Sequence, residues 1–471
     1  MGGMDKKQIF WLVLVVFFTF LIVYVPHVTN KFPVHVDEWH HITESIRLGS
    51  GDYPKLSIGF ELGFHVFLML LGFMFNLVNV YRFLPAIWAI FSSLMLFYVV
   101  QKKSGKYSLG LFSMLFFASI RSNVNITGIW FFTPLSFSIP FIFLYVYLFT
   151  SGIESKNKKL IIYSLIVMLV VLIAHPISIF FSIGFLFVFC LLHYKYVLDE
   201  WKFFSWFLVI PIIGLVFYFI MTGKGFVHLL QALRFDYGWG VLELKNSFLE
   251  LYSLIGYVFA LVGIVCILLL NKKSIKKYLI YLLWPLFVLC SIIFFRIFGF
   301  SYFVPYQRNL YYFVLGLPIL SAFGLYFVWD YLVKKFDKRM VWKIVRVVFL
   351  VLVVYLTFRT YFYIDDNVSL YRVIDDDYYD SFMFMKGLDS GRVIATPEVS
   401  TALFPMTGHW PVATIVFYGD KSVTEKFFAA KCDEREEIIS KYDVDYVLFK
   451  HELGCSWDLI YDKDVKIWDV K

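Results

Sequence analysis

Apolar runs near 20 residues long, separated by short polar breaks, recur from Gln8 to Tyr361. A helix of that length spans about 30 Å, the thickness of a bilayer's hydrocarbon core. The runs fall near 8–25, 82–100, 108–120, 134–151, 160–175, 177–193, 203–221, 249–270, 278–298, 309–330 and 342–360. The run at 108–120 is short, so it continues toward Asn125 or sits in a thinned bilayer. A further run, Ile58–Val78, carries Glu61, His65, Asn76 and Asn79 and is weakened by Gly59, Gly63 and Gly72. It reads as an interfacial or re-entrant helix rather than a span.

The charges fix that choice and the orientation. Lys102–Lys106, Lys156–Lys159, Lys195–Lys202, Lys272–Lys277 and Lys334–Arg339 hold sixteen cations; the loops between them hold six. Such alternation marks the rich loops as cytoplasmic, and Lys6 and Lys7 place the N-terminus on the same side. Leaving Ile58–Val78 out of the count is the simplest way to bring all five loops inside. The first run lacks a small-residue cleavage site and reads as a retained anchor. The pattern predicts an α-helical polytopic membrane protein of about eleven transmembrane helices, with interfacial helices in the first outer loop. Residues 1–361 form the membrane domain, within which 26–80 is the first extracytoplasmic loop.

After Tyr361 the pattern changes. Residues 362–390 read as a linker and 391–471 as a small extracytoplasmic α/β domain. Arg392–Ala395 and Val444–Phe449 are expected strands, and Glu398–Phe404 a helical turn. Ser422–Ala430 and Asp433–Lys441 are expected helices, with Leu459–Tyr461 and Lys466–Val470 as a closing hairpin. Cys432 and Cys455 both lie in this domain, so on an oxidising side they either pair or remain two thiols. Asn125-Ile-Thr127 and Asn367-Val-Ser369 are glycosylation sequons expected on the same side.

Composition agrees: 60% of the 471 residues are hydrophobic and 17% charged, against about half and about a quarter in soluble domains. The net charge of +8 does not indicate a nucleic-acid partner, because topology accounts for the cation clusters. Neither GxxxxGK[ST] nor GxGxxG occurs, so a cytoplasmic nucleotide-sugar donor has no support.

The chemistry concentrates at the outer boundary. The first loop contains Val36-Asp37-Glu38-Trp39-His40-His41, preceded by His35. A helix from near Glu38 places Trp39, Ile42 and Ile46 on one face, as in a helix lying on a membrane surface. Asp37 at its start is either an N-cap or a base that takes a proton from an acceptor hydroxyl. Two adjacent acids with three histidines nearby could instead hold a divalent cation such as Mg2+ or Mn2+, although HExxH and DxD are absent. Asp375-Asp376-Asp377 reads as a solvated charge run. Arg308 and Arg296 lie on the same side and suit a phosphate; Arg308 reads equally as an interface anchor. His175, before Pro176, ends a span at headgroup depth, and Arg82 and Arg121 are further candidates. A carboxylate base with cationic groups suits transfer from an amphiphilic donor whose leaving group is a phosphate.

With this loop, with Tyr81-Arg82-Phe83-Leu84-Pro85, with the basic turn at Lys102–Lys106 and with the outer loop at Arg121–Thr127, the chain resembles the GT-C superfamily of integral membrane glycosyltransferases. That superfamily includes protein O-mannosyltransferases, dolichol-linked glycosyltransferases, aminoarabinose transferases and oligosaccharyltransferases. The resemblance implies an inverting transfer from a polyprenyl- or dolichyl-phosphate sugar to a glycan, lipid or protein acceptor. It implies Asp37 as base with Glu38 beside it, and Arg308 at the donor phosphate. The WWDxG element of oligosaccharyltransferases is absent, and Gly238-Trp-Gly240 and His409-Trp-Pro411 are poor substitutes. Asn123 and Asn125 stand where some relatives carry acids. Transfer of a single sugar is therefore expected ahead of oligosaccharide transfer to asparagine. A glycan polymerase or ligase is the alternative, disfavoured by the short mid-chain loop Thr222–Ser247; a transporter is disfavoured by the few midplane ions and the want of a clear internal repeat.

Overall fold

A computed structural model describes residues 5–53, 61–122, 126–206, 212, 216, 219–220, 223–236, 247–270, 272–335, 340–359, 372–415 and 418–471. Asn123, Asn125, Gly238-Trp-Gly240, the sequon at Asn367 and most of the expected span 203–221 lie outside these residues. The chain forms two compact units: Met1–Val23, Ala86–Trp130 and Pro134–Tyr363; and Tyr24–Pro85, Phe131–Thr133 and Ile364–Lys471.

The first unit is a helical bundle. Its helices Leu84–Ser104, Tyr107–Ala118, Pro134–Glu154, Lys158–Ala174, Ile177–Leu192, Leu254–Leu268, Lys272–Phe298, Tyr306–Lys335 and Met340–Phe358 follow the expected runs. Local chemistry sets their ends. Asn157 and Ser253 cap through side chains that accept backbone N–H bonds, and His175-Pro176 stops the helix before it. Among the described residues five helical stretches are long and apolar enough to cross a membrane: Lys6–His27, Leu77–Ser104, Pro134–Glu154, Ile275–Phe298 and Tyr306–Lys335. Shorter apolar helices accompany them, including Tyr107–Ala118 and Leu254–Leu268. This is a multi-pass membrane protein. Among the described residues the run at Ile58–Val78 holds the 11-residue helix Leu62–Gly72, about 16 Å long and half of a hydrocarbon core, and the start of the short helix Leu77–Val80.

Helices Leu254–Leu268 and Tyr306–Lys335 touch backbone to backbone. A Cβ on Gly263 would lie 2.0 Å from the Leu320 carbonyl oxygen, and one on Gly324 2.0 Å from that of Phe259. Small residues permit this approach, which packing in lipid relies on. Ser321 Oγ adds a bond across the contact to the Gly256 carbonyl, at 2.8 Å. Gly324→Leu is therefore expected to destabilise the bundle by about 3 kcal/mol or more, since backbone cannot yield as a side chain can. Gly225→Ala, which meets nothing within 4 Å, is the neutral control. Thermal unfolding and monodisperse yield in detergent check both.

The second unit contains helices Val36–Ser50 and Leu62–Gly72, the segment Phe131–Thr133 and the C-terminal domain. Among the described residues that domain has five strands: β3 (Arg392–Ile394), β4 (Trp410–Pro411), β5 (Tyr446–Phe449), β6 (Asp458–Asp462) and β7 (Lys466–Asp469). In the bundle unit, β1 (Arg234–Asp236) and β2 (Phe300–Tyr302) form a separate antiparallel pair. The five-stranded order is β4-β3-β5-β7-β6, parallel at β3/β4 and β3/β5 and antiparallel at β5/β7 and β6/β7. Helices Pro397–Thr407, Lys421–Ala429 and Cys432–Tyr442 complete it, over a core of Ile394, Phe427, Val447 and Trp468 among others. Residues 376–385, expected within a linker, form a helix capped by the Asp375 side chain. Asp375 also pairs with Lys450 at 2.7 Å, so the acidic run is partly structural. His409 is buried, its two ring nitrogens bonded to Gly391 N and the Met385 carbonyl.

Cys432 and Cys455 form a disulfide with Cα atoms 5.6 Å apart, closing a separation of 23 residues. A loop of that size is worth about 3 kcal/mol. Cys455→Ser is expected to lower the unfolding midpoint of the C-terminal domain, with added reductant having the same effect on wild type and none on the variant.

Candidate functional site

Helix Val36–Ser50 begins two residues earlier than the expected start near Glu38, and this separates the two acids. His35 is the N-cap, in extended backbone, and its Nδ1 accepts the Asp37 N–H at 3.0 Å. Glu38 closes the capping box: Oε2 accepts from Val34 N and His35 N at 2.9 and 3.1 Å. Its Oε1 accepts from Phe132 N at 2.9 Å. Both Glu38 oxygens are thus committed to backbone donors, and the residue is 0% exposed. Burial pushes its carboxyl up to about 7, against the pull of the three amides and with repulsion from Asp37 adding to the rise.

Asp37 is not the cap. Its carboxylate is 29% exposed and stands 3.6 Å from His35 Nδ1. That nitrogen already accepts the Asp37 N–H, so the contact is not a charge pair. One acid of the pair holds the loop, and the other presents a carboxylate at the surface.

The helix is packed on more than its Trp39–Ile42 face. Trp39 and Ile42 are buried as expected, but so are His41, Glu44 and Ser45, while Ile46 is exposed. Helix Leu62–Gly72 lies on one side and helix Pro397–Thr407 of the C-terminal domain on another. The Arg47 guanidinium sits 5.4 Å from the Trp410 ring centroid. Protein therefore takes much of the surface that the apolar stripe assigns to lipid. Below the helix start, Trp39 Nε1 donates to the Pro33 carbonyl at 3.0 Å, and Tyr81 OH donates to the Phe132 carbonyl at 2.5 Å.

Behind Asp37 the histidines form a cluster. His41 Nδ1 lies 2.9 Å from His65 Nε2 and 3.7 Å from Glu61 Oε2. Tyr53 OH meets His65 Nδ1 at 2.5 Å. Burial lowers His65 to about 3 and, opposed by Asp37, His40 to about 4, so both imidazoles are neutral near pH 7. Glu61, His65 and Tyr53 were not legible as site residues. The available signal was Glu61-x-x-x-His65, one helical turn apart in a run otherwise apolar.

The acid pair itself offers few free ligands for the alternative reading, a bound Mg2+ or Mn2+. Both Glu38 oxygens and the His35 Nδ1 serve the cap, so of the two acids only Asp37 keeps a carboxylate outside it. Among the described residues, His41, Glu61 and His65 are the group with metal-ligand spacing.

The expected phosphate-binding residues lie in the bundle unit. Arg308 is held by Nη1 bonds to the Ile126 carbonyl at 2.6 Å and Thr127 Oγ1 at 2.9 Å. His175 is buried, with Nδ1 2.7 Å from Ser178 Oγ, which in turn meets Tyr312 OH at 2.8 Å. The Arg308 charge acts on both His175 and Tyr312. Arg296 is exposed, bonded to Tyr306 OH at 3.2 and 3.1 Å through two nitrogens. The Arg121 N–H donates to the Leu251 carbonyl at 2.9 Å. Arg82, in the other unit, covers the Phe83 ring and lines a hollow with Lys31, Asn79 and Tyr379.

Solved structures with this architecture are known. An oligosaccharyltransferase of Archaeoglobus fulgidus, tethered to an acceptor peptide with an NVT sequon, superposes with TM-score 0.58 at 13% identity, over 94% of this chain and 69% of that one. The chain shares the fold of that enzyme. The A. fulgidus enzyme AglB with an inhibitory peptide and a dolichol-phosphate gives TM-score 0.53 at 14% identity, over 94% and 70%. The A. fulgidus oligosaccharyltransferase in complex with Zn and sulfate gives 0.57 at 13%, over 92% and 67%. No family model matches the sequence, and no curated protein matches it. At this identity the likeness is one of fold.

Proposed function

We propose that the chain is a membrane glycosyltransferase that moves one sugar from a polyprenyl- or dolichyl-phosphate donor to an acceptor on the extracytoplasmic face. Asp37 takes the proton of the acceptor hydroxyl as its oxygen attacks the anomeric carbon. The carbon–oxygen bond to the phosphate breaks, and the lipid phosphate leaves with inversion at the sugar. The observation that carries this reading is the division of labour within the acid pair: Glu38 is buried and saturated while Asp37 presents its carboxylate. Arg308, fixed by Ile126 and Thr127, is the proposed phosphate ligand, with Arg296 and His175 assisting. The acceptor is a glycan, lipid or protein. The disulfide supports an extracytoplasmic C-terminal domain, with the N-terminus cytoplasmic.

The fold comparison favours a second reading, oligosaccharide transfer to asparagine. The missing WWDxG element speaks against it. Membranes carrying the chain, supplied with labelled polyprenyl-phosphate monosaccharides or with polyprenyl-diphosphate oligosaccharides plus a sequon peptide, separate the two. Label transferred from the monophosphate donors is expected. Label appearing only in the sequon peptide would replace this reading with the second.

A further inference from the structure

We propose that His41, Glu61 and His65 bind a divalent transition-metal ion of the zinc class, at a site distinct from the Asp37–Glu38 pair. The three ligand atoms all lie within 4.8 Å of one another. In a tetrahedral zinc site with bonds near 2.0–2.1 Å, neighbouring ligand atoms sit about 3.3 Å apart. The His41–His65 separation of 2.9 Å has to open by a few tenths of an ångström, and the His41–Glu61 separation of 3.7 Å to close by as much. Both moves are within side-chain rotation.

Each ligand is placed by a helix. His41 projects from Val36–Ser50, Glu61 stands at the N-terminal boundary of Leu62–Gly72, and His65 follows it by one turn. His65 also has an outer partner. With Nδ1–H donating to the Tyr53 oxygen, its Nε2 directs a lone pair toward His41 and Glu61. His41 and His65 are buried and Glu61 is partly exposed, which gives an ion one route in. Two imidazoles with one carboxylate select zinc over magnesium, whose preference is for oxygen. Three protein ligands leave one coordination position for water or a substrate oxygen. Asp37, four residues before His41, stands one turn away on the same helix face. The site stands independently of the glycosyl-transfer reading.

The test uses the purified full chain in detergent, stripped with chelator and titrated with Zn2+ against a chromogenic competitor, with bound metal counted by mass spectrometry. One zinc per chain is expected, undisturbed by millimolar Mg2+. Glu61→Gln and His65→Gln should each weaken binding at least tenfold, and Tyr53→Phe about 10–100-fold. Replacing Cys190, Cys266 and Cys290 by serine should change nothing. No zinc retained, or unchanged affinity in Glu61→Gln, overturns the proposal and reduces the cluster to a Tyr53–His65–His41 hydrogen-bond chain. Glu61 is the least buried of the three, so its variant decides the outcome even where His65→Gln fails to fold.

Discussion

Asp37→Asn is expected to lower sugar transfer by about 10²–10⁴-fold, the usual contribution of a positioned general base. Its unfolding midpoint and yield should match wild type. Asparagine keeps the size of the side chain but cannot take up the acceptor's proton. The fold does not depend on the carboxylate: the capping bond at this position runs from the Asp37 backbone N–H to His35 Nδ1 and survives the change. Asp37→Glu, which moves the carboxylate by one methylene, should retain more activity than Asp37→Asn. Initial rates at saturating donor, alongside thermal unfolding, separate this from a structural role, in which stability would fall and residual activity would track the folded fraction.

Glu38→Ala should be the most destabilising single change in the second unit. It removes acceptors from three buried backbone donors, Val34 N, His35 N and Phe132 N. Each donor left without a partner costs about 1–3 kcal/mol. Part is regained if water enters the gap, so a loss of at least about 3 kcal/mol is expected. Glu38→Gln should fall between alanine and wild type, because an amide can serve the Val34–His35 pair or Phe132 but not both. Transfer should drop in both variants, since the bond to Phe132 fixes the helix that carries Asp37. Chemical or thermal unfolding in detergent ranks the three proteins. A Glu38→Gln variant as stable as wild type would show that the cap matters less than its geometry implies.

The span boundaries were legible because hydropathy is local: a run of apolar residues is helical in lipid whatever it packs against. The short apolar helices Tyr107–Ala118 and Leu62–Gly72 fall in the runs at 108–120 and Ile58–Val78 that the sequence marks as short or weakened. The C-terminal strands and helices followed alternation and turn residues, but β4 escaped, being only Trp410–Pro411. Helix Asp376–Met385 hid in an acidic stretch whose first residue is its cap. At the site, the sequence sets Glu38 beside Asp37 as a second acid without a distinct role. What separates them is a histidine acting as N-cap, an uncommon choice, and a partner at Phe132, which lies 94 residues away along the chain. Neither leaves a local signal. The His41–Glu61–His65 cluster was missed for the same reason, since two helices assemble it. The disulfide remained an even choice until the fold placed both cysteines at bridging distance.

The most direct test follows the donor itself. Purified chain in liposomes is given polyprenyl phosphates charged with labelled sugars, together with a delipidated membrane extract as acceptor. Release of free polyprenyl phosphate matched one-to-one by labelled acceptor, and lost with Asp37→Asn, is the predicted result. Donor left intact with every sugar, or consumed equally by the Asp37→Asn variant, would contradict the account.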